Sequence, residues 1–148
     1  ALKNLNFKVY GSDYSKDALD VAFINKKKLL VKNFLPVCAN WLSCFGEDCF
    51  DLIVSNPPYI SEDDSHLDEL IHEPNIALVS EDNGLFHIKK IVKQSCKALK
   101  NGGKLMIEHG YDQSEKVEEI FDKNYFSKIT VIKDLQSIPR ITIGTLQR

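Results

Sequence analysis

Hydrophobic residues recur with a period of two over some segments and at helical spacing over others, which predicts alternating strands and helices. The segments predicted as strands are 7–12, 29–37, 52–54, 104–107, 127–133 and 140–146. The last two are joined by the short segment 135–139, which predicts an antiparallel hairpin at the edge of the sheet. The order of the elements predicts an α/β fold.

Three helices are predicted, after Ser15 and over 85–99 and 112–121. The Ser15 hydroxyl is expected to cap the first helix, whose apolar face comprises Ala18, Leu19, Ala22 and Phe23. The apolar face of the second helix comprises Ile88, Ile91, Val92, Ser95 and Leu99. That helix is expected to end at 101–103, where a glycine can adopt the left-handed cap conformation.

The strongest chemical signal is the apolar run 52–54 followed by Asn56-Pro57-Pro58-Tyr59. The run is typical of a strand buried on both faces, and the prolines end its ladder and stiffen the backbone. The side-chain oxygen of Asn56 and the carbonyl of Pro57 can accept both hydrogens of a substrate NH₂ group. Tyr59 can cover one face of a planar group. These features favour alkylation of an amide or amino nitrogen; a Pro-Pro turn with a packed tyrosine is the structural alternative.

This tetrapeptide resembles the Asn-Pro-Pro-Tyr motif of S-adenosylmethionine-dependent amino methyltransferases. Three further elements follow in the order of the HemK/PrmC family: Glu73-Pro74 with 77–79, Asn83-Gly84-Leu85, and Ile107-Glu108-His109-Gly110. Members of that family methylate the side-chain amide (N5) of a glutamine in peptide chain release factors. The resemblance implies a class I, Rossmann-like methyltransferase fold, with a mostly parallel sheet and an antiparallel C-terminal hairpin.

Asp13 follows the first predicted strand and precedes a helix, where a carboxylate can bind the hydroxyls of a nucleoside ribose. An acidic residue favoured by the helix dipole is the alternative. The resemblance implies that Asn40 accepts from the adenine amino group, although the family more often has aspartate at this position. It also implies that Trp41 packs on the adenine ring; the alternative is that Trp41 lies in the core. With Asn56, these residues are the predicted S-adenosylmethionine site.

The resemblance also assigns the reacting end of the site. The predicted catalytic residues are Asn56, Pro57 and Tyr59, and the predicted substrate-binding residues are these three together with Pro58. No general base is evident among them.

One element of the family pattern is not matched. The family has a strand and a Gly-x-Gly-x-Gly-like loop, preceded by a helical domain, and the seven glycines show no such spacing. We therefore expect 1–148 to be a single, partial methyltransferase domain that by itself binds the cofactor weakly or not at all. The unmatched strand belongs between those that end near Asp13 and Asn56. These two strands should either pair directly or leave apolar surface through which chains could self-associate.

Composition narrows the partners. A net charge of −2 gives no electrostatic case for non-specific binding of nucleic acid. The four cysteines lack Cys-x-x-Cys spacing, so we expect reduced thiols and no metal site. No apolar run approaches the ~20 residues of a membrane span. A cytoplasmic protein is expected, with an organellar location left open.

The sequence leaves two other functions open. The same tetrapeptide serves in adenine N6 methylation of DNA or RNA, where the tyrosine stacks on a flipped base; the net charge argues against it. A non-catalytic binding module is favoured by the unmatched glycine loop. The presence of Asp13 and of the Asn56 tetrapeptide argues against that interpretation.

Overall fold

The computed structural model describes residues 6–60 and 80–148. Their elements are β1 (Val9–Asp13), α1 (Lys16–Lys28), β2 (Phe34–Cys38), β3 (Phe50–Ser55), α2 (Phe86–Ala98), β4 (Leu99–Glu108), α3 (Ser114–Asp122), β5 (Phe126–Lys133) and β6 (Pro139–Leu146). The chain divides into two compact units, Ala1–Phe45 and Gly46–Arg148. In the described ranges, no helix combines the length and apolar character that a membrane span needs.

In the first unit, α1 connects two parallel strands, β1 and β2. The predicted cap is confirmed, since the Ser15 hydroxyl oxygen accepts from the Ala18 amide at 3.2 Å. The predicted apolar face of α1 is not buried, because none of its residues is buried and Phe23 is exposed.

The second unit contains a four-stranded mixed sheet with the order β3-β4-β6-β5. β3 is parallel to β4, whereas β6 is antiparallel to both β4 and β5. The predicted C-terminal hairpin is therefore confirmed, and its second strand lies inside the sheet.

The core of the second unit is formed by helix faces that pack on this sheet. The buried residues of α2 are Ile88, Ile91, Val92, Ser95 and Ala98, which confirms four of the five residues of the predicted apolar face. The fifth, Leu99, is buried but belongs to β4. In α3, Val117 and Phe121 are buried, and the Phe121 ring lies 5.0 Å from the Phe126 ring between centroids. This unit supplies nearly all of the buried apolar residues of the described chain.

The predicted end of α2 is wrong. The helix ends at Ala98, and Leu99 is already extended and begins β4, so 101–103 lie within the strand. Gly102 does have a positive φ of 81°, but it occurs in the strand and not in a helix cap. The last turn of α2 is instead closed by Arg148, whose guanidinium donates to the carbonyls of Lys97 and Leu99 at 3.1 and 2.9 Å.

The prediction that β3 is buried on both faces is also wrong for the described structure. Ile53 is 7% exposed, but Leu52 is 50% and Val54 is 67% exposed. Successive side chains of a strand point to opposite faces, so only the face of Ile53 is covered.

Direct pairing of β1 with β3 does not occur among the described strands. β1 pairs with β2 in one sheet, and β3 pairs with β4 in the other. The other expected outcome, exposed apolar side chains on β3, is what the structure has. Self-association through this face stays a prediction.

Candidate active site

The carboxyl ends of β3 and β4 lie at the same edge of the second unit's sheet. Their parallel ladder ends with the pair Ser55 and Ile107. Asn56 follows directly and is exposed, whereas the side chain of Pro57 is fully buried. The strand therefore presents an amide side chain at its tip and anchors the residue after it.

Tyr59 is held at its hydroxyl. This group donates to Glu108 Oε1 at the end of β4, over 3.4 Å. Burial, and then the negative charge of Glu108, raises the pKa of Tyr59. The phenol thus keeps its proton at neutral pH, and it serves as a donor that orients the ring.

A buried glutamine that the sequence analysis did not identify holds the same segment. The Gln113 Nε2 amide donates to the carbonyls of Tyr59 and Asn83, both at 3.0 Å. Its Oε1 accepts from the Gly110 amide at 2.9 Å. One side chain, 7% exposed, therefore connects the backbone after β3, the turn before α2 and the turn after β4. All three partners are backbone groups, which leave no pattern of residue types in the sequence.

Gly84 explains part of the Asn83-Gly84-Leu85 element. Gly84 has a φ of +80°, and a Cβ there would lie 2.0 Å from the Tyr59 carbonyl oxygen and 2.5 Å from Gln113 Nε2. The space therefore excludes a side chain, and the positive φ also favours glycine. The turn before α2 is thus seated against the Tyr59 carbonyl.

His109 is a structural residue of this edge. It is fully buried, with Nδ1 2.8 Å from the Gly110 carbonyl oxygen and Nε2 3.0 Å from Thr142 Oγ1. A carbonyl can only accept, so Nδ1 carries the proton and Nε2 accepts from the Thr142 hydroxyl. Burial lowers the pKa of His109, which keeps the ring neutral.

The predicted cofactor residues of the first unit lie at one edge of its sheet. β1 and β2 are parallel, with Asp13 opposite Cys38, so Asp13 and Asn40 lie at the same end. Both are exposed, and Trp41 is half-buried with a φ of 55°. Oδ1 of the Asp13 carboxylate also accepts from the Ser15 amide at 2.8 Å. One carboxylate oxygen is thus bonded at the start of α1, and this bond is compatible with ligand binding by the same carboxylate.

The predicted residues thus form two groups, each within one unit. Asp13, Asn40 and Trp41 belong to the first unit, and the Asn56 tetrapeptide belongs to the second. Glu73 and Pro74 lie outside the described residues. Across 6–60 and 80–148, no cluster of three or more His, Cys, Asp or Glu residues could hold a metal ion.

Comparison with known proteins identifies the class. The family described as "Methyltransferase domain" matches residues 1–141, and the chain belongs to that family. Proteins named release factor glutamine methyltransferase are similar in sequence. The protein from Coxiella burnetii is 36% identical over 97% of this chain and 52% of its own length. The protein from Escherichia coli is 37% identical over 89% of this chain and 48% of its own length.

These relatives confirm the resemblance to the HemK/PrmC family, and a third, from Buchnera aphidicola, is 40% identical over 95% of this chain and 51% of its own length. The chain spans about half the length of the curated relatives it matches.

Solved structures confirm the predicted fold class. A methyltransferase from Pyrococcus furiosus has a TM-score of 0.72 at 17% identity, over 99% of this chain and 66% of its own. A SAM-dependent O-methyltransferase from Thermotoga maritima has a TM-score of 0.67 at 12% identity, over 95% and 50%. A Streptococcus mutans protein in complex with SAH has a TM-score of 0.54 at 19% identity, over 93% and 75%. At these identities the likeness concerns the fold.

Proposed function

We propose that the protein carrying this chain uses S-adenosylmethionine to methylate the side-chain amide nitrogen of a glutamine in peptide chain release factors. The observation that carries the proposal is that Asn56 is exposed at the end of β3. The backbone after it is held by the buried side chain of Pro57 and by the bond of Tyr59 to Glu108. The names of relatives that are 36–40% identical support the choice of substrate.

The donor groups of the first unit fit the predicted cofactor. A carboxylate such as that of Asp13 can accept from both hydroxyls of a ribose. The amide oxygen of Asn40, at the same sheet edge, can accept from an adenine amino group, and Trp41 offers a flat surface for the ring. When bound, S-adenosylmethionine supplies an electrophilic methyl group.

The residues of the second unit can compensate for the low nucleophilicity of the substrate amide. An amide nitrogen is a poor nucleophile because its lone pair is delocalised over the carbonyl, so orientation matters more than activation. The side-chain oxygen of Asn56 and the backbone carbonyl of Pro57 would each accept one amide hydrogen and thereby set the direction of attack. Orientation of this kind contributes up to about 7–11 kcal/mol in favourable cases.

Tyr59 is assigned to positioning and not to proton transfer. Its raised pKa and its bond to Glu108 keep the phenol protonated, so it cannot act as a base near neutral pH. The surplus proton of the substrate nitrogen leaves to solvent after the methyl group has been transferred.

The first prediction tests the role of Asn56. Asn56→Ala is expected to lower the kcat for methylation of a release factor by about 10²-fold, since a misplaced reacting group costs that order of rate. Asn25→Ala, an exposed asparagine on α1, is the matched control and should retain activity. The measurement is transfer of labelled methyl groups by the protein expressed from its full open reading frame.

A release factor whose target glutamine is changed to alanine serves as the substrate control. Label on the unaltered factor alone would support the proposal, and equal label on both would contradict it. Transfer to nucleic acid instead would favour adenine N6 methylation. Transfer to neither the release factor nor nucleic acid would favour the non-catalytic binding module.

A further inference from the structure

We propose that Gln113 is a positioning residue for methyl transfer, which holds the Pro57 carbonyl in its accepting orientation by fixing the Tyr59 carbonyl two residues later. The inference rests on the proposed function, because that function gives the Pro57 carbonyl its role. Gln113 itself is not expected to touch the substrate.

The hydrogen bonds of Gln113 use the full donor capacity of its side chain. A glutamine amide has two N–H donors, and here they are directed at the carbonyls of Tyr59 and Asn83. The side-chain oxygen is held in turn by the Gly110 amide. With all three bonds at 2.9–3.0 Å and the group almost fully buried, the amide has a single orientation.

The hydrogen bonds of Gln113 hold a segment that lies beyond the end of the β3–β4 ladder. The ladder between β3 and β4 ends at Ser55, so its backbone bonds do not fix Asn56 to Tyr59. One residue beyond Tyr59, the Ile60 carbonyl accepts from the Ser80 amide at 2.8 Å. Pro57 and Pro58 have restricted φ angles, and the short segment to Tyr59 has few free torsions. A displacement of the Tyr59 carbonyl is therefore transmitted to the Pro57 carbonyl and is not absorbed between them.

Gly84 also restricts the position of the Tyr59 carbonyl. Its Cα lies so close to the Tyr59 carbonyl that a Cβ would come within 2.0 Å of the oxygen. The carbonyl is thus confined by the turn before α2 and bonded by Gln113. The Tyr59 hydroxyl is bonded separately to Glu108, so the residue is held at both its backbone and its ring.

The test compares two substitutions of nearly unchanged shape. Gln113→Glu keeps an acceptor for the Gly110 amide but loses both donors, and Gln113→Met loses all three bonds. Gln136→Glu makes the same charge change at an exposed position of the turn before β6 and is the control. Each variant is assayed in the protein expressed from its full open reading frame, with S-adenosylmethionine and a release factor, after its melting temperature is measured.

The expected result is a fall in kcat of between about 10-fold and 100-fold in a folded Gln113 variant, as for a small misplacement of reacting groups. The KM for the release factor and the Kd for S-adenosylmethionine should change less than about threefold. A merely structural role would lower the fraction of protein that binds cofactor and leave the kcat of that fraction unchanged.

The alternatives are distinguishable. An active wild-type protein with an unaffected kcat in a folded Gln113 variant would overturn this inference alone. Failure of both Gln113 variants to fold would assign the residue to folding and would also overturn it. A wild-type protein that transfers no methyl group to the release factor would refute the proposed function, and the inference would fall with it.

Discussion

Burial shifts the pKa values of two residues near the carboxyl end of β4 in opposite directions. It raises the pKa of Tyr59 and lowers the pKa of His109, because in each case the charged form is the one that loses solvation. Both side chains are therefore neutral near pH 7. Tyr59 donates to Glu108, and His109 connects the Gly110 carbonyl to Thr142.

The lowered pKa of His109 predicts a pH dependence of stability. An unfolded histidine titrates near pH 6.5, and the folded ring binds its proton only at lower pH. Stability should therefore be greatest above about pH 6.5 and decrease as the pH falls through the lowered pKa of the folded state. Thermal melts at intervals from pH 7.5 to pH 5 measure this effect.

The variant His109→Gln should flatten that profile, at the cost of a lower melting temperature at every pH. His87→Gln is the comparison, because His87 is only half-buried although its pKa is also lowered by burial. Equal pH dependence in the wild type and His109→Gln would show that His109 does not carry the effect.

At the scale of elements, the packing of α3 on the sheet depends on a residue without a side chain. A Cβ at Gly144 of β6 would lie 2.6 Å from Phe121 Cδ1 and 3.0 Å from Phe126 Cβ. The Phe121 ring of α3 can therefore lie directly against the β6 backbone. Neither ring can move away freely, because Phe121 and Phe126 also pack on each other.

Gly144→Ala is expected to lower the free energy of unfolding by about 1–3 kcal/mol, the usual cost of overpacking a core. Urea denaturation measures it. Gly46→Ala is the matched control, since a Cβ there meets only Cys49 Sγ at 3.8 Å, an ordinary contact. The lower backbone entropy of an unfolded alanine by itself stabilises the folded state, so a loss as large in Gly46→Ala would show that the Phe121 contact is not responsible.

At the scale of the whole molecule, burial is distributed unequally. α2 buries five residues and α1 buries none. A helix without a buried face gains little from tertiary packing, which supplies most of the stability of helices in proteins. The two helices have the same length, 13 residues, so they can be compared directly.

We expect the amides of α1 to exchange with solvent faster than those of α2 under native conditions. Hydrogen exchange followed by mass spectrometry on the full chain would measure the difference. The lysine-rich end of α1 should exchange first, because helix ends fray. Equal protection of both helices would contradict this expectation and would show that α1 is packed in solution although it is exposed in this structure.

Much of the fold could be predicted because its signals are local. The Ser15 cap, the apolar face of α2 and the alternation in β5 and β6 each depend on residues a few positions apart. The end of β3 was predicted for the same reason, since consecutive prolines cannot continue a ladder wherever they occur.

What the sequence by itself determined was therefore the order of the elements and the residue types at the strand tips. The tertiary structure alone decided that α2 leads directly into β4, that Leu52 and Val54 are exposed and that α1 buries no face. It also decided that Gln113 holds the Tyr59 carbonyl. Periodicity and restricted φ angles act within a few residues, whereas Gln113 and Tyr59 are 54 positions apart and meet through a backbone carbonyl. Every residue type has such a carbonyl, so only the folded chain shows which one is bound.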